Sequence, residues 1–154
     1  ALMFPSARII LMRRHPLDIG LSCYNAGFGF GFDYANDLTT MGEAYRLFAD
    51  LPLRWRALLG PRLFEVRYET LVTEPEQEIA RVLEHCGLAF DPACAAPPQG
   101  GGLIKTASVA QARQPITARS VGQWRKVEEQ LGPMIAAMGG MDWIEAHVAD
   151  VNGR

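Results

Sequence analysis

The stretch that most constrains this chain runs from Arg8 to Tyr24, R-I-I-L-M-R-R-H-P-L-D-I-G-L-S-C-Y. Ile9 to Met12 are consecutive apolar residues with the length and β-branching of a buried strand, which predicts a strand over about residues 8–13. Two arginines close it. After the His15-Pro16 break a helix is expected, with Pro16 in its first turn, where the missing N–H costs nothing, and with its end near Asn25-Ala26-Gly27. In an open α/β sheet, ligands bind just beyond the carboxyl ends of strands. Arg14 therefore stands where an anion would sit, and Ser22 lies about two helical turns along the following helix. A guanidinium and a hydroxyl in that arrangement can hold a phosphate by charge-assisted hydrogen bonds. The same residues also allow an Arg14–Asp18 pair on the helix surface, with Ser22 bonding back into its own helix. On spacing alone, this second arrangement is the better supported.

The rest of the chain extends the strand–helix pattern. Phe28-Gly29-Phe30-Gly31-Phe32 reads as a loop whose rings tuck into the core or against a neighbour, the alternative being a flap over a pocket. Leu38, Met41, Tyr45 and Phe48 form the stripe of an amphipathic helix. Pro52 should kink or split it, and the second part carries Trp55, Leu58 and Leu59 up to Gly60-Pro61. Leu63 to Tyr68 is a second strand, and strand–helix–helix–strand order implies parallel neighbours and a right-handed crossover. Thr73-Glu74-Pro75-Glu76 has the form of a capping box, opening a helix that carries Ile79, Val82, Leu83 and Cys86 and stops at Gly87. Residues 88–104 form a long connection rich in Pro and Gly, of the kind that is either functional or disordered. A short polar helix over 105–115, a helix from Ser120 to Leu131 and an apolar helix at Met134–Met138 follow. Trp143 to Arg154 is expected as a loosely docked helix or a disordered tail. The division is one domain over 1–141 with a tail over 142–154.

Composition excludes several classes. A net charge of -2 lacks the basic footprint of non-specific nucleic-acid binding. The basic residues are 13 Arg and 2 Lys, a bias that suits phosphate or sulfate recognition and that a GC-rich genome also produces. Cys23, Cys86 and Cys94 show no CxxC spacing, so neither a zinc site nor a disulfide framework is expected, and reduced thiols in a cytoplasmic setting are the default. No apolar run reaches the length of a membrane span, and the first residues do not read as a signal peptide. Ala1 leads directly toward a strand, which reads as an excerpt of a longer sequence.

Three further groups can carry chemistry. Arg67-Tyr68-Glu69 closes the second strand, so on a parallel sheet Tyr68 faces the same edge as Arg14 and can meet a base, or else close the sheet end as a buried aromatic. Ser108, Arg113, Arg119 and Ser120 gather hydroxyls and guanidiniums suited to a polyanion. Alternatively they are solvated helix caps, with Ser120 an N-cap beside which Arg119 could meet a phosphate. His15, His85 and His147 form no triad or metal pattern and are expected to face solvent.

The order of these segments resembles the C-terminal part of a sulfotransferase catalytic domain, most similar to bacterial sulfotransferases related to tyrosylprotein sulfotransferases. The resemblance covers roughly residues 4–139. It rests on FPSARIILMRRHPLDIGLSCY, on LFEVRYETLVTEP with its following helix, and on KTASVAQARQPI with the later SVGQW. It implies an α/β fold of the P-loop nucleotide-binding type, a parallel sheet flanked by helices, here helix-rich and without the N-terminal phosphate-loop unit. It also implies the sulfuryl donor 3′-phosphoadenosine-5′-phosphosulfate, no metal, and an acceptor hydroxyl or amine on a small molecule or protein. In the family an Arg and a Ser eight apart hold the donor's 3′-phosphate, and they match Arg14 and Ser22. The family tyrosine near the adenine matches Tyr68, and a serine near the phosphosulfate matches Ser108, the one tentative catalytic residue. Arg119 and Ser120 are assigned to the donor as well. The chain departs from the family in lacking the P-R-S-G-T-T-like loop and its carboxylate or His, which would precede Ala1. Gln123 also stands where some relatives have a lysine before the tryptophan. The fragment alone is therefore expected to be inactive. A non-catalytic scaffold with the same fold, or another P-loop transferase, remains open on these residues, and the upstream sequence discriminates among them.

Overall fold

The computed structural model describes residues 3–28, 31–96 and 115–152. Residues 105–114 of the expected helix, with Ser108 and Arg113, lie outside the described residues, as do Phe30 and residues 97–104 of the long connection. The chain forms two compact units, Ala1–Arg13 with Leu59–Arg119 and Arg14–Leu58 with Ser120–Arg154.

The first unit holds two parallel strands, β1 (Ile9–Arg13) and β2 (Leu63–Arg67), in register from Ile9 opposite Leu63 to Arg13 opposite Arg67. The parallel pairing is as expected, and the architecture is α/β and helix-rich. β1 is not buried on both faces, however. Successive side chains point to opposite faces, and on one of them Ile10 and Met12 are exposed, while Arg13 on the other is buried. At the end of β2, Tyr68 leaves the strand and opens a short helix, α4 (Tyr68–Thr73), followed by α5 (Pro75–Cys86). His85 fixes α5 to the strand, with its ring stacked on Phe64 at 5.3 Å and its Nε2 3.1 Å from the Arg62 carbonyl oxygen. The capping box does not form. Thr73 ends α4, and its hydroxyl donates to the carbonyls of Glu69 (3.0 Å) and Thr70 (3.2 Å), so α5 starts without a side-chain cap.

The second unit is helical: α1 (Pro16–Ala26), α2 (Leu38–Phe48), α3 (Leu51–Leu59), α6 (Gly132–Met138) and α7 (Met141–Asn152). Pro52 lies in the first turn of α3, so the chain is split into two helices there, one of the two outcomes expected. Asp37 caps α2 by accepting the Thr40 N–H at 2.9 Å. The core joins Leu17, Ala35, Met41, Trp124, Leu131, Met134, Met138 and Ile144. Close approach of α2 and α6 depends on Gly42, where an added Cβ would come 2.6 Å from the Met134 carbonyl oxygen and 2.8 Å from the Ala137 Cβ.

Three expectations need correction here. The helix expected as one alternative at the C-terminus forms and runs through Asn152, but Ile144 of α7 is fully buried in the core, so its docking is not loose. Residues 120–131 are not one helix but turns and a short 3₁₀ segment, Gln123–Val127, because Gly122 takes the left-handed φ of 69° that interrupts a right-handed helix. Phe28 and Phe32 do not enter the core: they are exposed and touch each other at 5.4 Å, with Phe32 also against Tyr34 at 6.3 Å. No described helix is long and apolar enough to cross a membrane.

Candidate anion-binding site

The site is built on the first turn of α1. Pro16 starts the helix, and His15 caps it, its Nδ1 accepting the Leu17 N–H at 3.3 Å. The His15 ring also stacks on Trp124, with centroids 4.9 Å apart and planes 15° from parallel. Asp18, on the inner side of the same turn, is 2% exposed. Its Oδ2 accepts the Gly122 N–H at 2.7 Å and its Oδ1 the Trp124 N–H at 3.1 Å. Arg14, directly after β1, donates from Nη2 to the Ser120 carbonyl at 2.7 Å. Arg125 closes the outer side with its guanidinium 4.7 Å from the Trp124 ring centre. Residues 120–125 are thus threaded along the helix start by Arg14, His15 and Asp18.

This arrangement removes the competing roles weighed for Arg14 and Ser22. Asp18 commits both oxygens to backbone amides, not to Arg14. Ser22 is exposed on α1, and among the described residues its hydroxyl enters no hydrogen bond, so it does not bond back into the helix. Arg14 has five N–H donors in a fixed plane, and one of them is anchored on Ser120. Its charge is felt nearby: burial pushes the Cys23 thiol above its ordinary 9.0, while Arg14 pulls it down.

Of the residues assigned from the sequence, Arg14, Ser22 and Ser120 fall in the helical unit. Arg14 and Ser120 are in contact, Ser120 through its carbonyl; it ends a 3₁₀ turn, Ala118–Ser120, and does not cap a helix. Tyr68 and Arg119 belong to the other unit. Tyr68 is half-buried as the first residue of α4, and Arg119 is exposed in the 3₁₀ turn. Ser108 lies outside the described residues. At the carboxyl end of β1, Arg13 pairs with Glu65 at 3.3 Å. Among the described residues, no group of three or more His, Cys, Asp or Glu is placed to hold a metal ion.

Sequence reasoning passed over Asp18 and His15 as parts of the site. None of the histidines simply faces solvent: His15 stacks on Trp124, His85 on Phe64 and His147 on Trp143. Pro16 and Asp18 mark a helix start, but nothing in the pattern links that start to amides more than a hundred residues away.

The profile described as "Sulfotransferase family" matches residues 1–92, which include β1, α1 and β2. An uncharacterized protein of Aquifex aeolicus (strain VF5) is 33% identical over 141 residues, covering 87% of this chain and 18% of that protein. The chain thus spans less than a fifth of the length of this relative. The chain belongs to the sulfotransferase family.

Proposed function

From that membership we propose that this chain is part of an enzyme transferring a sulfuryl group from 3′-phosphoadenosine-5′-phosphosulfate to an acceptor hydroxyl or amine, and that it contributes the half of the donor site that binds the 3′-phosphate. The observation that carries the reading is the state of the Arg14–Ser22 pair. A guanidinium follows a parallel strand and is braced on the Ser120 carbonyl, and on the adjoining helix stands an exposed hydroxyl without a hydrogen bond among the described residues. Both fit a phosphate ligand: a donor fork already held in place, and a hydroxyl that can turn to give a further donor.

In this reading Arg14 and Ser22 bind the 3′-phosphate, Tyr68 meets the adenine, Arg119 and Ser120 border the same anion, and Ser108 serves the phosphosulfate end. The donor supplies the sulfuryl group, which passes to the acceptor oxygen or nitrogen as the 5′-phosphate oxygen departs and adenosine 3′,5′-bisphosphate is left. The named residues contribute by fixing the nucleotide so that attack and departure lie in line, and by placing positive charge and N–H donors where negative charge accumulates. The division of the chain into a catalytic-domain part over 1–141 and a further segment over 142–154, and a cytoplasmic location, belong to the same proposal.

Calorimetry of the intact protein with adenosine 3′,5′-bisphosphate tests it. Arg14→Ala should weaken binding by roughly 2–5 kcal/mol, the range for truncating one partner of a buried hydrogen-bonded charge pair. Unchanged affinity in that variant would remove Arg14 from the site and the reading with it.

A further inference from the structure

We propose that Asp18 is a positioning residue of the nucleotide site: without touching the nucleotide, it fixes the 120–124 turn on which Arg14 is braced, so that recognition of the 3′-phosphate depends on it. The inference rests on the reading of Arg14 and Ser22 as phosphate ligands given above.

A carboxylate that is 2% exposed is costly unless its charge is met by hydrogen bonds. The two bonds made by Asp18 are to main-chain N–H groups of Gly122 and Trp124, at 2.7 and 3.1 Å. Gly122 is left-handed, with φ 69° and ψ 17°, and a right-handed 3₁₀ segment follows it. Consecutive left- and right-handed residues turn their N–H groups into an anion-holding concavity. Here the protein's own carboxylate fills that concavity. A phosphate would be repelled from it, so this turn serves the site through the Ser120 carbonyl and does not itself take the ligand anion.

The same turn carries the Ser120 carbonyl that Arg14 grips at 2.7 Å. Removing the Asp18 charge weakens the hold on the two amides, lets the turn shift, and so displaces the Ser120 carbonyl, one of the contacts that orient the Arg14 guanidinium. Stacking of His15 on Trp124 and burial of Trp124 in the core remain as ties, and these apolar contacts fix the turn's position less sharply than two charge-assisted bonds. A residue that only stabilised the fold would act differently, changing the unfolding midpoint while leaving nucleotide discrimination by the folded molecules intact.

The test compares adenosine 3′,5′-bisphosphate with adenosine 5′-monophosphate by calorimetry on the intact wild-type protein and on Asp18→Asn, Gly122→Ala and Arg14→Ala. Asparagine keeps the shape and one acceptor but turns an NH2 donor toward one of the amides. The wild type should prefer the bisphosphate. Asp18→Asn should keep native circular dichroism and lose about tenfold or more of that preference, with monophosphate affinity little changed. One decade corresponds to roughly 1.4 kcal/mol. Gly122→Ala strains the turn from its other side, since φ 69° is a left-handed conformation that a residue with a Cβ adopts at a cost, and should lose the same preference. Retention of the wild-type preference in both turn variants, while Arg14→Ala abolishes it, overturns the inference and leaves the Arg14 reading standing. Failure of both variants to fold overturns it too, because Asp18 would then be structural. A wild type with no preference overturns the reading beneath it.

Discussion

Gly42→Ala is the perturbation that most directly probes how the helical unit is held together. Alanine in a helix interior is favoured over glycine by about 1 kcal/mol, so propensity alone predicts a more stable protein. The structure predicts the opposite. The new Cβ would stand 2.6 Å from the Met134 carbonyl oxygen and 2.8 Å from the Ala137 Cβ, against the ~3.5–4.0 Å of an unstrained carbon contact. The first of these atoms is main chain of α6 and cannot rotate aside, so α2 and α6 must separate by about an ångström along a fully buried seam around Met134 and Met138. Overpacking costs typically 1–3 kcal/mol, and a rigid obstacle places this case near the upper value. The net loss is then about 2 kcal/mol, or roughly 4–8 °C in melting temperature for a domain of this size. Gly20→Ala is the matched control. Its new Cβ would meet the thioether end of Met134, a side chain that adapts readily, so its cost should be clearly smaller. Urea denaturation followed by tryptophan emission, with Trp124 in the core as reporter, measures both. An unchanged or raised midpoint for Gly42→Ala, or a larger loss for Gly20→Ala, would refute the reasoning.

Ile144→Ala tests the docking of α7: the side chain is fully buried, so a loss of about 2–5 kcal/mol is expected, whereas a detached tail would leave the denaturation midpoint where it was. Cys23 should alkylate more slowly with iodoacetamide than exposed Cys94 near neutral pH, and Arg14→Ala should slow it further, since burial raises its pKa and Arg14 lowers it; a faster rate in the variant would contradict this. The sign for stability follows from the raised value. The folded thiol holds its proton above pH 9.0, where the unfolded one has begun to lose it, so this contribution is intact below that pH and declines above it. Denaturation midpoints of Cys23→Ser and wild type should converge across that range.

Much of this fold could be read in the chain because its elements announce themselves locally. Ile9 to Met12 gave β1, the stripe from Leu38 to Phe48 gave α2, and Pro52 gave the break before α3, each from residues within a turn or two of one another. The misreadings arise where a local signal competes with another one. Thr73 has the residue type of a cap, but a helix already ends on it, and its hydroxyl goes to the carbonyls behind it, at Glu69 and Thr70, before it can serve the amides ahead. The apolar and basic residues after Ser120 have the composition of a helix, but Gly122 and a distant carboxylate make turns of them. The site shows the same division. Arg14 and Ser22 were visible as a pair with two roles in balance, and local spacing favoured the ion pair with Asp18. What rules out the ion pair is the partner Asp18 takes, and its partners are main-chain amides, which every residue but proline possesses and no sequence pattern marks. A buried aspartate in a first helical turn can answer the helix dipole or hold another part of the chain. Here it does the second, which leaves the Arg14–Asp18 pair unformed and Arg14 on the Ser120 carbonyl.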